Sequence, residues 1–373
     1  VFYEYFISFA LAFIVSFTST PIAKKVAFYI GAVDVPKDDR RMHKKPIARL
    51  GGLAIFSGFI ISLLFGLMST FIGVIGIEPT SQLLGLLIGA FIIVGIGIVD
   101  DIKQLGPKIK FLFQILAALA VVFVSQNKIS VITNPFSTEG IILSDFIAYP
   151  LTVLWIVGIT NAINFIDGLD GLAAGVSSIA YLSLLFISII AGEVQTALII
   201  AILAGSTLGF LPYNFNPAKI FMGDTGATFL GFTLGVISLQ GMMKAYTTIA
   251  IAIPLLVLGL PLFDTTFAIL RRLLQGKSIM AADRGHLHHK LIDMGFSQKQ
   301  SVVTMYTVSG ALGLAAIVLA DKGALSAVVL IIAVSVFVIA GSKYMNEIND
   351  SPDVNKTVED EKVPDLSIQK AKE

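Results

Sequence analysis

The amino-acid sequence predicts an all-α integral membrane protein of about eleven transmembrane helices, with the N-terminus outside and the C-terminus cytoplasmic. Three observations carry this expectation. Of 373 residues, 55% are hydrophobic and only 14% charged, and the mean hydropathy is +0.87, whereas soluble domains carry about 25% charge. Apolar runs close to the roughly 20 residues needed to cross about 30 Å of hydrocarbon recur along the chain. Lys and Arg concentrate on alternate connections between those runs.

The first run, 2 to 21, has Glu4 at its leading end and Lys24 and Lys25 behind it, the reverse of a signal peptide, so it is expected to remain as a helix. The others lie at 48 to 70, 82 to 99, 111 to 125, 147 to 163, 172 to 191, 195 to 212, 225 to 241, 246 to 270, 301 to 320 and 324 to 341. The connections 22 to 49, 100 to 110, 212 to 224 and 271 to 300, with the tail beyond 341, hold 23 basic residues, and the opposite set holds only Lys128, Lys244 and Lys322. Positive charge marks the cytoplasmic side. Stretch 126 to 146 reads as a small surface hairpin, with turns at Asn134-Pro135 and Glu139-Gly140. Residues 1 to 341 thus form one transmembrane domain. The tail from Ser342 to Glu373, with eight acidic and five basic residues, buries too little apolar surface to fold alone and is expected to be a disordered cytoplasmic extension.

A net charge of +1 offers no field for nucleic acid. Without cysteine, any metal must be held by carboxylate, carbonyl or imidazole. No repeat of 20 to 50 residues and no matching pair of broken helices supports a carrier architecture.

The informative polar residues fall on the basic side. Asp100 and Asp101 end the third run, followed by Lys103, Lys108 and Lys110; adjacent carboxylates there need a cation, a proton or water between them. Asn164, Asp167 and Asp170 are spaced three apart and suit one broad helical face, with Gly168 and Gly171 keeping the neighbouring positions small. Asp224, in Phe221-Met-Gly-Asp-Thr-Gly, precedes a run whose helix start would attract phosphate; it reads as an N-cap or as a ligand. Asn214 reads as a turn residue, and Asp264 as a partner for Arg271, with Pro254 and Pro261 bending their helix. Asp283-Arg284-Gly-His286-Leu-His288-His289-Lys290 gathers three of the four histidines and suits an anion and sugar clamp better than zinc, since no zinc-enzyme spacing is present. The first basic loop carries Asp34-x-Pro36, Arg40, His43 and Arg49-x-Gly-Gly; each of its cations reads equally as a topological determinant or as part of a site. Carboxylates flanked by Lys, Arg and His at a membrane surface fit phosphoryl transfer on a lipid, with a hard cation bridging carboxylates and phosphates.

Four of these motifs, Asp100-Asp101, Asn-Ala-Ile-Asn-Phe-Ile-Asp-Gly-Leu-Asp-Gly, Tyr-Asn-Phe-Asn-Pro-Ala-Lys-Ile-Phe-Met-Gly-Asp and Asp-Arg-Gly-His-Leu-His-His, stand in an order that resembles the polyprenyl-phosphate N-acetylhexosamine-1-phosphate transferase family from about residue 20 to 340. His-Leu-His-His and the first loop look like the branch that starts teichoic acid, O-antigen and related glycans. Ala48, where that branch often has a second Pro, is a minor departure.

The resemblance implies transfer of N-acetylglucosamine 1-phosphate from UDP-N-acetylglucosamine to undecaprenyl phosphate, with UMP released and Mg²⁺ required (Mn²⁺ as a substitute), on the cytoplasmic face of the plasma membrane. Another UDP-N-acetylhexosamine is the rival donor, and a homodimer is the implied assembly. Asp224 is implied as the firmest metal ligand, with Asp100 and Asp101 near metal and lipid phosphate, and Asp167 and Asn164 completing the centre. Lys103 and Lys110 are implied to hold phosphate, Asp170 and Asn214 to contact uridine, Phe221 to pack on uracil, and Arg284, His286, His288 and His289 to bind the sugar diphosphate. Acids held at mid-bilayer would instead suit an ion-coupled secondary transporter; here they sit at span ends.

Overall fold

In lipid every backbone N–H and C=O must find a partner within its own segment, so apolar runs become helices. The structure, a computed structural model, describes residues 2–35, 45–70, 76–132, 141–244, 252–276, 285–323, 326, 328 and 332. The long helices are α1 (Phe2–Ile30), α2 (Gly51–Ser69), α3 (Ser81–Lys103), α4 (Pro107–Ser125), α5 (Asp145–Ile166), α6 (Leu172–Ile190), α7 (Val194–Asn214) and α8 (Gly223–Lys244). They are followed by α9 (Ala252–Val257), α10 (Gly259–Leu274), α11 (Leu287–Asp293) and α12 (Gln298–Lys322). Two antiparallel pairs, β1 (Val33–Asp34) with β2 (Ile47–Ala48) and β3 (Val131–Ile132) with β4 (Ile141–Ile142), close the first basic loop and the expected hairpin.

Among the described residues eight helices, α1 to α7 and α12, are long and apolar enough to cross a membrane, which makes the chain a multi-pass, all-α membrane protein. The helices overrun the apolar runs because polar end residues continue the same hydrogen-bond ladder; α1 carries on to Ile30, well past the expected limit of 21. The run 225 to 241 is α8, whose side chains from Thr225 to Leu239 are buried almost throughout; a helix enclosed by protein needs no apolar lipid face. The run 246 to 270 is split between α9 and α10. Pro261 has no N–H to offer the carbonyl of Val257, and the chain breaks between those residues, at Leu258. The run 324 to 341 and the tail lie almost wholly outside the described residues.

Helix α8 is the axis of the bundle, packed by α2, α3, α5 and α6. Small residues permit this. A Cβ on Gly52 of α2 would lie 2.1 Å from the backbone nitrogen of Gly226 in α8, and one on Gly97 of α3 would lie 2.6 Å from Thr225 Cα, so backbones touch where side chains would hold them apart. Gly52→Ala is therefore expected to lower stability by about 3 kcal/mol or more, since backbone rather than a flexible side chain must yield; a thermal melt in detergent against wild type checks this.

Candidate active site

The close approach of α3 to α8 sets the geometry of the acidic motifs. Asp101 Oδ1 accepts from Asp224 N at 2.8 Å, and its Oδ2 accepts from Thr225 N at 3.0 Å and Thr225 Oγ1 at 2.6 Å. Its side chain has 0% exposure. Asp101 thus caps the start of α8 from a neighbouring helix, so those N–H groups are not open to phosphate, contrary to the sequence expectation. Gly223 makes the turn into α8 at φ +71°, where a Cβ would fall 1.9 Å from the carbonyl oxygen of Arg49.

Freed from capping, Asp224 points its carboxylate elsewhere. Lys110 Nζ donates to Asp224 Oδ2 and, at 3.2 Å, to Asp100 Oδ2, while Asp100 Oδ1 accepts from Leu105 N at 2.6 Å. The adjacent acids Asp100 and Asp101 coexist because one faces an ammonium and the other a helix start. Asp224, Asp100 and Lys110 are among the sequence-predicted site residues that the structure brings together. Lys103 is not among them: it is exposed at the end of α3, away from the cavity.

Asn164, Asp167 and Asp170 do not form one helical face. Helix α5 ends at Ile166, Asp167 is its C-cap, and the chain turns through Gly171 at φ +80° before α6. The turn nevertheless aims all three at one cavity of about 740 Å³, together with Asn214, Phe221, Asp224 and His289. Asp170 Oδ2 accepts from Asn216 Nδ2 and Ala218 N, both at 3.0 Å, which fastens the loop after α7 to the cavity wall. Asn214 donates to the Ile220 carbonyl, leaving a buried Oδ1 with no protein partner. Removal from bulk water, reinforced by the Asp224 and Asp101 charges and partly offset by Arg49, pushes Asp167 up to about 7.

The cavity also takes Asp34, Arg49, Asn216, Asp293 and Gln298, which sequence reasoning did not single out as site residues. Arg49 stands 4.0 Å from Asp101, so this cation does more than set topology; its signal was the Gly-Gly pair that follows it. Asp293 and Gln298 flank an ordinary helix junction and carry no local signal. Beyond Asp224 a second space of only about 10 Å³, room for one water, is lined by Ile93, Ile96 and Gly97 of α3, Lys110 and Gln114 of α4, and Thr228, so Asp224 borders two spaces of very different size.

The histidines sit on and before α11. Asp264 does not pair with Arg271 as expected: its Oδ2 meets His286 Nδ1 at 2.7 Å and its Oδ1 accepts from Leu287 N at 2.8 Å, whereas Arg271 Nη1 donates to the Gly285 carbonyl at 3.0 Å. His288 is 1% exposed, and neither ring nitrogen has a hydrogen-bond partner. Its ring lies against His286 and His289 and fills the space over Gly168, where a Cβ would come within 2.5 Å. His289 alone of the three lines the cavity. Arg284 lies outside the described residues, as do Arg40 and His43.

Burial first, then the neighbouring His289, pushes His288 down to about 4. A histidine of ordinary pKa near 6.5 when unfolded takes up its proton before the folded one does, so its neutral burial stabilises the fold above about pH 6.5 and is progressively lost as pH falls toward 4. Acid melting curves of wild type should lose on the order of 3 kcal/mol across that window through this residue, and His288→Gln should flatten the slope.

Among the described residues no three Asp, Glu or His side chains form a ready cage for a metal. Asp224 and Asp100 nevertheless offer oxygen donors, and Mg²⁺ is commonly held by only one or two carboxylates, completed by substrate phosphates and water. The residues present fit such an ion.

Comparison with known proteins places this arrangement in a wider group. A probable undecaprenyl-phosphate N-acetylglucosaminyl 1-phosphate transferase of Bacillus subtilis is 45% identical over 320 residues, covering 85% of this chain and 86% of that one. A decaprenyl-phosphate N-acetylglucosaminephosphotransferase of Mycobacterium tuberculosis is 35% identical over 79% of this chain and 77% of its own length. An undecaprenyl-phosphate alpha-N-acetylglucosaminyl 1-phosphate transferase of Escherichia coli is 29% identical over 78% and 77%. The family model described as glycosyl transferase family 4 matches residues 83–242, which hold the α3, α5–α6 and α8 motifs. With a relative this similar over nearly the whole of both chains, the protein belongs to glycosyl transferase family 4.

Proposed function

We propose that the protein transfers N-acetylglucosamine 1-phosphate from UDP-N-acetylglucosamine to undecaprenyl phosphate, releasing UMP, as the first membrane step of a cell-envelope glycan. The observation that carries the reading is Asp224, tied through Lys110 to Asp100 and bordering both a polar cavity of about 740 Å³ and a narrow cleft with an apolar α3 wall. That cavity is within the roughly 300–1,000 Å³ of small-molecule sites. The names of the relatives supply the sugar and the lipid.

In this reading the nucleotide-sugar occupies the larger cavity. Phe221 offers an aromatic edge to the base, Asn214 an unpartnered oxygen and Asp170 a wall held rigid by Asn216 and Ala218. Arg49 and His289 face the diphosphate and sugar, and His288 and His286 stack behind His289; Arg284 is assigned to the diphosphate on the sequence motif alone. The lipid phosphate approaches Asp224 beside Lys110, and the narrow cleft there, about 10 Å³ and so the size of one water, must widen to admit it. Mg²⁺, held by Asp224 and Asp100, would supply neutralisation of phosphate charge.

A phosphate oxygen of the lipid attacks the β-phosphorus of the UDP-sugar; the bond from that phosphorus to the bridging oxygen breaks, and UMP leaves. The direct route suits these surroundings better than a base-assisted one. Asp101 spends both oxygens on α8, and the lone pairs that Asp100 keeps beyond its bonds to Lys110 and Leu105 are assigned to the metal rather than to a proton. A phosphate monoester with a second pKa near 6 is already largely ionised at neutral pH and needs little help. Asp101 then acts as a positioning residue rather than a ligand or base. Taking the basic connections as cytoplasmic, as the bias of Lys and Arg favours, we assign the site to the cytoplasmic face of the plasma membrane.

Purified protein supplied with radiolabelled UDP-N-acetylglucosamine, undecaprenyl phosphate and Mg²⁺ is expected to yield lipid-extractable label, abolished by EDTA and restored by excess Mg²⁺. Product only with another UDP-hexosamine would correct the donor. Folded protein inactive with every donor would overturn the reading.

A further inference from the structure

The hydrogen bonds around Asp170 fix which way two amide side chains face. Asp170 Oδ2 accepts from the backbone N–H of Ala218 at 3.0 Å. That oxygen is an acceptor, so the Asn216 atom 3.0 Å from it is the amide nitrogen Nδ2. The same nitrogen lies 2.8 Å from Gln298, which meets it with Oε1. Gln298 lines the cavity of about 740 Å³, and with Oε1 spent on Asn216 the group it has left to offer is the Nε2 donor. Both bonds to Asp170 end on Oδ2, which leaves Oδ1 as an acceptor for the same cavity. One wall therefore carries an acceptor and a donor of fixed polarity, joined through Asn216.

That wall is held on both sides. Gln298 is the first residue of α12, whose start is closed by a capping box between Ser297 and Gln300. Two turns on, Tyr306 Oη donates to the Gly171 carbonyl in the turn that carries Asp170, and its ring lies over Gly175, where a Cβ would come within 2.0 Å. Helix α12 is thus fastened to the Asp170 turn at two points, and a donor on a helix is placed more sharply than one on a loop.

We propose that Gln298 is a specificity-determining residue that reads the base of the nucleotide-sugar: its Nε2 donates to O4 of uracil while Asp170 Oδ1 accepts the adjacent N3–H. The inference rests on the transferase reading and deepens it. Uracil is the part of that donor which presents an N–H and a carbonyl side by side on a rigid ring, and Phe221 lines the same cavity. O4, unlike O2, is not crowded by the ribose on N1. Phosphates bring no donor for Asp170, and sugar hydroxyls both give and accept, so neither needs a pair of fixed polarity. Cytosine inverts the pattern: its N3 is an acceptor facing Asp170, and its N4 amino group is a donor facing Gln298, so both pairs go unmade.

The test measures binding of UDP and CDP, with Mg²⁺ present, to the full chain in detergent by calorimetry, with thermal melts on the same preparations. Wild type is expected to prefer UDP by about a hundredfold or more. Gln298→Glu keeps an oxygen for Asn216 and replaces the donor by an acceptor; glutamate also suits the first turn of a helix, so the melt should hold. It is expected to shrink the UDP-to-CDP ratio by about tenfold. Negative charge added to the cavity repels both diphosphates alike, so the ratio, not either affinity, carries the result. Gln298→Met, with neither amide function, should narrow the ratio by weakening UDP alone. A ratio unchanged in folded variants, or wild type that binds UDP and CDP equally, would overturn the proposal and leave the nucleotide-sugar reading standing. Folded wild type that binds neither nucleotide would overturn both.

Discussion

Asp224→Asn is expected to lower the rate of transfer by about a thousandfold, the scale seen when one well-placed electrostatic group is removed from an active site, with little change in thermal stability. The side chain does not hold the fold: Asp101 caps α8, and Asp224 contributes a carboxylate that touches Lys110 and is 17% exposed at the cavity. Asparagine keeps the shape and an acceptor for Lys110, which retains Asp100 as its ion-pair partner, so the melting change should stay within about 1 kcal/mol. What asparagine removes is negative charge at the border of the two spaces. A second consequence follows at Asp167, which is held up partly by the Asp224 charge; neutralising that charge should bring Asp167 down toward the ordinary carboxylate range. Single-turnover rates and a thermal melt on the same preparation check the claim.

Asp101→Ala should show the opposite balance. Its carboxylate satisfies two backbone N–H groups and the Thr225 hydroxyl with no solvent access. Alanine would forfeit an N-cap, worth about 0.5–2 kcal/mol, and leave buried donors unpaired at about 1–3 kcal/mol. A loss of roughly 2–4 kcal/mol is expected, with transfer falling as the start of α8 frays and Asp224 loses its aim. Asp101→Asn keeps an acceptor oxygen and should recover part of both quantities. Were Asp101 a base or metal ligand instead, Asp101→Asn would abolish turnover and leave the melt nearly unchanged. The neighbouring acids Asp100 and Asp101 are alike in sequence and are separated in role only by what each one touches.

That contrast marks the limit of what the sequence made legible. The bundle could be read from the apolar runs, because length and hydrophobicity alone decide which segments become long helices. The break at Leu258 was foreshadowed by Pro254 and Pro261, though only as a bend. The acidic motifs announced themselves by their cost in apolar surroundings. Their division of labour did not, because the partner of Asp101 is 123 positions away at Asp224 and that of Lys110 is 114 away, also at Asp224. The three-residue spacing of Asn164, Asp167 and Asp170 pointed to a helix, yet Gly168 and Gly171 allow a turn that still aims them together. His286, His288 and His289 were conspicuous as a cluster, while Asp264, which holds His286, was assigned to Arg271 because helical spacing sees only neighbours on one helix.

The central claim is that a sugar phosphate, not a bare sugar, moves past Asp224 to a lipid. UDP-N-acetylglucosamine carrying ³²P at the β-phosphorus tests it most directly, with undecaprenyl phosphate as acceptor and Asp224→Asn alongside. The account predicts that the label enters the organic-extractable lipid, that unlabelled UMP appears in equal amount, and that the variant forms neither. Label remaining in water as UDP while sugar enters the lipid would mean that the sugar–phosphate bond breaks instead, and would contradict it.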